Sequence, residues 1–138
     1  MTILVMDGQG GRIGALLIEK LRAEGLGAEH KLLAVGTNAL ATAAMMRAGA
    51  DQGATGENPV RVCAPRADII LGPMGILLAD AMMGEITEAI AAAIARSPAE
   101  KVFLPLERCG VHVAGVEPLP IARLAELAAR RVMALLHD

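Results

Sequence analysis

The stretch Val5-Met-Asp-Gly-Gln-Gly-Gly-Arg-Ile-Gly14 (VMDGQGGRIG) ends an apolar run and places four glycines within seven positions. The run itself, centred on Ile3–Met6, is short and continuously apolar, which is typical of a strand buried on both faces. After the glycines, apolar residues recur at helical spacing from Ile13 to Leu21. The stretch therefore predicts a strand, a tight turn and a helix, an arrangement at which phosphate groups approach a backbone.

The glycines spell G-x-G-G-x-x-G, which is one residue longer than the dinucleotide fingerprint G-x-G-x-x-G. Gly10 and Gly11 would let a phosphate reach the backbone. Gly8 and Gly14 are equally explained by the turn itself and by close packing of the helix on the sheet. We interpret the loop as an anion site, with a purely structural turn as the alternative.

The end of the second predicted strand lacks the groups that hold nicotinamide cofactors. NAD uses a carboxylate there and NADP an arginine, whereas this sequence has Gly36-Thr37-Asn38. We therefore expect both cofactors to bind weakly or not at all. Thr37 and Asn38 are candidate hydrogen-bonding partners of a ribose or phosphate, and a turn followed by a helix N-cap is the alternative reading.

Strands and helices alternate along the rest of the chain. The predicted strands are Ile3–Met6, Lys31–Val35, a very short one within 50–55, Asp68–Leu71 and Lys101–Leu106. The predicted helices are Ile13–Leu21, Ala39–Ala48, a brief one that Asn58 caps and Pro59 begins, Ile76–Met83, one that Thr87 caps and that runs through Ala95, and Ile121–Leu136. Four residues after Leu106 are too few for a crossover, so Val111–Val116 should form an antiparallel hairpin strand.

This order predicts a single α/β domain over residues 1–138. We expect a Rossmann-like, three-layer fold in which a mostly parallel sheet, with a C-terminal antiparallel hairpin strand, lies between two layers of helices. Ligands of such sheets bind beyond the carboxyl ends of the strands. The polar or glycine-rich loops at that edge are 7–12, 36–38, 55–58, 72–75 and 106–110.

Composition excludes several classes of function. A net charge of −2 without a basic cluster, and an aromatic content of 1%, argue against a nucleic-acid partner. No apolar run approaches the ~20 residues of a membrane span. No basic segment precedes the first apolar run, so we expect no signal peptide. Cys63 and Cys109 fit neither a metal site nor a disulfide framework, which favours a reduced, cytoplasmic protein.

The candidate binding residues all come from the loops at the carboxyl edge, and the sequence identifies no particular cofactor and no metal. They are Asp7, Gly8, Gln9, Gly10, Gly11, Arg12, Thr37, Asn38, Thr55, Glu57, Asn58 and Gly75.

Three residues are candidates for chemistry. Asp7 would bind a ribose or an amine or act as a base, or simply cap the first helix. Glu57 would be a general acid or base, or a first-turn acid that only complements the helix dipole. Cys109, next to Arg108, would be a nucleophile, or a packed cysteine. Glu85 follows Gly84 and would either reach the site or belong to a solvated turn, and we favour the solvated turn.

Five motifs, in this order, resemble a known family: DGQGG (7–11), GTNALAT (36–42), GATGEN (53–58), GPMGI (72–76) and GEIT (84–87). Together they are similar to domain-of-unknown-function family 3842, a bacterial family of small proteins, over nearly the whole chain. The resemblance implies a Rossmann-like cytoplasmic protein. It implies no reaction and no catalytic residues.

Two functions of different classes follow from these observations. The chain is either a binding module for a phosphorylated small molecule or nucleotide, or a small enzyme that acts on such a ligand through Asp7, Glu57 or Cys109. We also expect a homodimer, because seven of the eight residues of the predicted helix Ile76–Met83 are apolar. A helix that is apolar all round must be covered all round, and the alternative cover is the last predicted helix, which carries its own apolar stripe.

Overall fold

A computed structural model describes residues 1–106 and 110–137 of the chain. The strands are β1 (Thr2–Asp7), β2 (Lys31–Gly36), β3 (Gln52–Thr55), β4 (Ile69–Pro73) and β5 (Glu100–Leu104). The helices are α1 (Arg12–Ala23), α2 (Ala39–Ala48), α3 (Glu57–Cys63), α4 (Glu88–Arg96) and α5 (Ile121–His137). Short 3₁₀ turns, Ala64–Arg66 and Met74–Leu77, flank β4.

The five strands form one parallel sheet in the order β3-β2-β1-β4-β5. This is the strand order of Rossmann-like folds, and its order reverses between β1 and β4. Asp7 pairs with Gly36, which pairs with Thr55, so these three residues form one row at the carboxyl edge. The α/β prediction is confirmed, and the row places the predicted loops on one edge.

Two hydrophobic layers cover the sheet because alternate residues of its inner strands point to opposite faces. In β1, Ile3 and Val5 contribute to the layer with α1, α2 and α5. Leu4 and Met6 contribute to the layer with α3 and α4. The inner strands β1 and β4 are buried on both faces, which explains why they are continuous apolar runs rather than alternating ones.

The predicted antiparallel hairpin is wrong. Residues 111–116 form no strand, and all strand pairs in the described residues are parallel. Gly115 has a φ of +82° and lies in a turn, a backbone geometry that interrupts the extended conformation of a strand. The rest of 110–120 is an irregular, largely exposed segment that leads to α5. Residues Glu107 to Cys109 of the predicted hairpin turn lie outside the described residues.

The predicted helix Ile76–Met83 is also wrong. The segment is a 3₁₀ turn that continues as successive turns to Gly84, and we call Leu78–Glu85 the strap. Within it, Asp80, Met82 and Met83 have φ values of 68°, 57° and 57°. Those values are incompatible with a right-handed helix. The N–H of Asp80 instead donates to the carbonyl of Ile86 at 2.7 Å, which folds the strap back on itself.

Two predicted N-caps are confirmed and one is wrong. The side chain of Asn38 accepts the N–H of Ala41 at the start of α2, and that of Thr87 accepts the N–H of Ile90 at the start of α4. Asn58 is not the N-cap, because α3 begins at Glu57, after Gly56, two residues before the predicted start at Pro59. Gly56 has a φ of 107°, so the turn into α3 occurs at the glycine and leaves Asn58 in the first helical turn.

Candidate functional site

Two adjoining clefts lie at the carboxyl edge of the sheet. The larger, which we call the glycine cleft, has a volume of about 580 Å³ and is lined by residues 7–13, Ala15, Leu16, Glu19 and Ile121. The smaller, which we call the methionine cleft, measures about 220 Å³ and is lined by Asp7, Gln9, Ile13, Pro73, Gly75, Leu78, Ala81, Met82, Met83 and Leu106. Three residues line both clefts: Asp7, Gln9 and Ile13.

Asp7 lies where the two clefts meet. Its side chain is almost fully buried, and its carboxylate oxygens accept the N–H groups of Gly8 and Gly14, each at 2.8 Å. Burial raises the pKa of this carboxyl, because the charged form loses its hydration. The N–H groups of Gly14, Gly8 and Ile13 oppose the rise, and the nearby charge of Glu85 adds to it.

The glycines of the loop have different roles. A Cβ on Gly8 would meet Met82 Sδ at 2.7 Å, and one on Gly14 would meet Met45 Sδ at 2.5 Å. Gly11 has a φ of 72°, and its Cβ would lie 2.7 Å from the backbone of Ala41. These three glycines are therefore required by packing. Gly10 is different, because its nearest neighbour would be Arg12 Cγ at 3.9 Å.

Gly10 therefore opens onto the glycine cleft rather than onto the protein. Within residues 1–106 and 110–137, no acceptor bonds the backbone N–H of Gly10 or that of Arg12. The guanidinium of Arg12 is exposed and has no acidic partner in that same part of the chain. These donors lie on the rim of the cleft, whereas the inner N–H groups are already bound by Asp7.

Glu85 is the residue that the sequence interpretation missed. Its Oε1 atom accepts three hydrogen bonds: from Gln9 N–H at 2.9 Å, from Thr37 Oγ1 at 2.5 Å and from Asn38 Nδ2 at 2.9 Å. These bonds, led by that of Thr37, lower the pKa of the carboxyl. One carboxylate thus connects the strap to the loops that follow β1 and β2. In the sequence, its position after Gly84 allows it to reach the site, but a solvated turn is the favoured interpretation.

Thr37 and Asn38 are brought to the site but are engaged by the protein. The hydroxyl of Thr37 donates to Glu85, and the amide of Asn38 donates to Glu85 and to the carbonyl of Gln9 at 2.9 Å. Asn38 Oδ1 is also occupied, because it caps α2. The hydrogen bonds of Thr37 and Asn38 therefore hold the loop after β2 against the glycine loop and the strap.

Four predicted residues lie away from the clefts or outside the described chain. Thr55 bonds the hydroxyl of Thr42 at 2.8 Å, Glu57 accepts the hydroxyl of Thr87 at 2.6 Å, and Asn58 is exposed. None of the three lines either cleft. Cys109 is outside the described residues. Of the candidates for chemistry that can be placed, Asp7 alone lies in a cleft.

The strap roofs the methionine cleft with a strained backbone. Non-glycine residues with left-handed φ values cost free energy and persist where surrounding contacts hold them. Met82 packs its sulfur over Gly8, whereas Met83 is 98% exposed at the tip. Gln9, on the opposite wall, is left-handed too, with a φ of 49°. Strained residues on both walls are a feature of ligand clamps.

Two further properties of the described residues concern partners. None of their helices has both the length and the apolarity to cross a membrane. No group of three or more His, Cys, Asp or Glu side chains among them is arranged to hold a metal ion.

Comparisons with known proteins identify a family but no function. The family model described as "Domain of unknown function (DUF3842)" matches residues 2–137. Among curated proteins, none matches the chain. A solved structure, a dodecameric FMN-dependent Ubix-like decarboxylase from Escherichia coli O157:H7, is similar with a TM-score of 0.46 and 14% identity. That similarity covers 100% of this chain and 96% of the other.

Proposed function

As this chain belongs to the DUF3842 family, whose description gives no activity, we propose its function from geometry: it binds a phosphorylated small molecule or nucleotide at the carboxyl edge of the sheet. The observation that carries the proposal is the rim of the glycine cleft. There, Gly10 leaves the backbone open, and two N–H groups and one guanidinium have no partner among the described residues.

Electrostatics favours the rim over the interior of the cleft. Arg12 begins α1, where the helix dipole is positive. Asp7 carries an acidic group on the inner side, and Glu19 carries another about two turns along the helix. Because Asp7 and Glu19 both repel an anion, the favourable position for a phosphate is near Gly10 and Arg12. Its charge would be partly offset by Glu19, so we expect removal of the Glu19 charge to strengthen binding.

Titration with ribose 5-phosphate, followed by calorimetry, tests the anion site. We expect Gly10→Val and Arg12→Gln each to weaken binding by about tenfold or more, because one fills the open space and the other removes a charge-assisted bond. Glu19→Gln should tighten binding by a few-fold. The matched controls, Ala95→Val and Arg96→Gln, change exposed residues at the far end of α4. Equal affinities in Gly10→Val and wild type would refute the anion site.

A second function is supported by Asp7 alone. A buried carboxyl with a raised pKa, at the junction of two clefts, has the properties of a general acid or base. We therefore keep, as the alternative, a small enzyme that acts on a phosphorylated metabolite or nucleotide through Asp7. Turnover of a bound phosphorylated compound that is lost in Asp7→Asn, with binding retained, would favour the enzyme over the binding module.

We also propose a homodimer in the cytoplasm. The all-apolar helix expected at Ile76–Met83 does not form, because the segment is the strap. The remaining support is the tip of that strap, where Met83 exposes nearly its whole apolar side chain beside the methionine cleft. Light scattering should give a dimer mass for wild type and a monomer mass for a folded Met83→Glu variant. A wild-type monomer at micromolar concentration would exclude this dimer.

A further inference from the structure

The methionine cleft is a second, chemically different compartment of the same site. Its wall is made of apolar side chains and backbone from Pro73, Leu78, Ala81 and Leu106, with Met82 in the roof. Its position is the point at which the strand order reverses, between the ends of β1 and β4. Ligands of open α/β sheets bind at such points.

We propose, building on the phosphate site proposed above, that the ligand is a nucleoside monophosphate or a close analogue whose flat base lies in the methionine cleft and donates an N–H group to Asp7. The phosphate lies on the rim formed by Gly10 and Arg12. The base and the phosphate are connected through the part of the site that both clefts share, at Asp7, Gln9 and Ile13.

The carboxylate of Asp7 requires a donor on the ligand. A carboxylate has about four lone-pair sites, and the backbone N–H groups of Gly8, Gly14 and Ile13 take up three of them, so one acceptor site remains. A ligand that fills both clefts removes water from this remaining site. A buried acceptor without a donor is costly, so a purely hydrocarbon group would be disfavoured. A ring bearing an N–H replaces the lost water.

The apolar wall favours a flat ring over a polar chain. Thioether sulfur makes favourable contacts with aromatic rings, and methionine adapts its shape to a bound surface. Met82 supplies such a sulfur in the roof, and the exposed side chain of Gln9 can read a second polar edge of the ring. A volume of about 220 Å³ suits the base, and the adjoining 580 Å³ leaves room for the ribose and the phosphate.

Gly75 provides a matched partner for Gly10 in the experiment. A Cβ on Gly75 would lie 3.7 Å from Met82 Cε and 3.9 Å from Ala81 Cβ, both ordinary contacts, and its φ is not left-handed. Gly75→Val therefore fills the methionine cleft, as Gly10→Val fills the rim of the glycine cleft. Gly75→Ala serves as the milder version, and Ala95→Val as the control for an added apolar surface.

Calorimetric titrations with AMP, GMP, CMP and UMP, each compared with ribose 5-phosphate, test the proposal. At least one nucleotide should bind wild type about tenfold or more tightly than ribose 5-phosphate does. Gly75→Val should lower the affinity for that nucleotide to the affinity for ribose 5-phosphate, and Gly75→Ala should give an intermediate affinity. Neither substitution should change the affinity for ribose 5-phosphate. Circular dichroism melts establish that the variants remain folded.

The outcomes separate this inference from the phosphate site on which it rests. If ribose 5-phosphate binds wild type but not Gly10→Val, and no nucleotide binds more tightly than ribose 5-phosphate, the base site is overturned and the phosphate site stands. A nucleotide whose affinity is unaffected by Gly75→Val also overturns the base site. Failure of ribose 5-phosphate and of all four nucleotides to bind wild type overturns both proposals.

Discussion

The N–H of Gln9 donates a 2.9 Å hydrogen bond to Oε1 of Glu85, which lies 76 positions later in the chain. The same oxygen accepts Thr37 and Asn38 from the loop after β2. Glu85 thus holds three separate segments in one arrangement around the clefts. The glycine loop and the strap face each other because of this carboxylate.

Loss of Glu85 should loosen the site. Glu85→Ala removes the acceptor of three hydrogen bonds, and we expect the free energy of unfolding to fall by about 1–3 kcal/mol. The measurement is urea-induced unfolding. Glu100→Ala, at an exposed position of edge strand β5, is the control and should change stability by less than about 0.5 kcal/mol. Equal stability of the two variants would contradict the connecting role of Glu85.

Asp7 and Glu85 should contribute to stability with opposite dependence on pH. Burial raises the pKa of Asp7 above its ordinary value of 3.8. As pH rises from there through the folded pKa, the unfolded chain ionises first, and wild type loses stability relative to Asp7→Asn. Hydrogen bonding, chiefly from Thr37, lowers the pKa of Glu85 below 4.5, so its contribution is present above 4.5 and is lost as pH falls through the folded pKa.

Urea unfolding of wild type, Asp7→Asn and Glu85→Gln from about pH 3 to 8 measures both trends. With rising pH, the stability of wild type relative to Asp7→Asn should decrease. Over the same range, the stability of wild type relative to Glu85→Gln should increase. If the two stability differences changed in the same direction with pH, the burial assigned to Asp7 and the hydrogen bonding assigned to Glu85 would be contradicted.

Adjacent glycines should respond differently to alanine. Gly11→Ala places a methyl group 2.7 Å from the backbone of Ala41 at a left-handed position, and it should cost about 2–4 kcal/mol. Gly10→Ala meets nothing closer than 3.9 Å and should leave the melting temperature nearly unchanged. Thermal denaturation of the two variants, side by side, is the measurement. A large loss in Gly10→Ala would show that its backbone is held by packing.

NAD and NADP should bind weakly or not at all. The end of β2 carries Gly36-Thr37-Asn38, without the acid or arginine that these cofactors use. The polar side chains of that turn are already bound to Glu85 and Gln9. Calorimetric titration with each cofactor checks this, and micromolar binding of either one would contradict it.

The sequence predicted the inner strands well because burial on both faces makes each a continuous apolar run, as at Ile3–Met6. It also predicted the caps of α2 and α4, since Asn38 and Thr87 each accept the N–H of the residue three positions later. These are local signals. The glycine loop was predicted for the same reason, as a strand that turns directly into a helix.

The strap could not be predicted, because Ile76–Met83 has the apolar content of a buried helix. Its left-handed residues are held by distant partners: Glu85 bonds Gln9, and Met82 packs over Gly8. The hairpin error has a different origin. Val111–Val116 alternates as a strand does, but Gly115 adopts a left-handed backbone conformation within a turn.

Titration of ¹⁵N-labelled protein with ribose 5-phosphate tests the central claim, the anion site on the rim of the glycine cleft, most directly. Within the loop 8–14, the two backbone amides that have no protein acceptor in the described chain are those of Gly10 and Arg12. Their resonances should show the largest saturable shifts, and Gly10→Val should abolish the response. Saturable shifts centred on another surface, or no saturable shifts at all, would contradict the account.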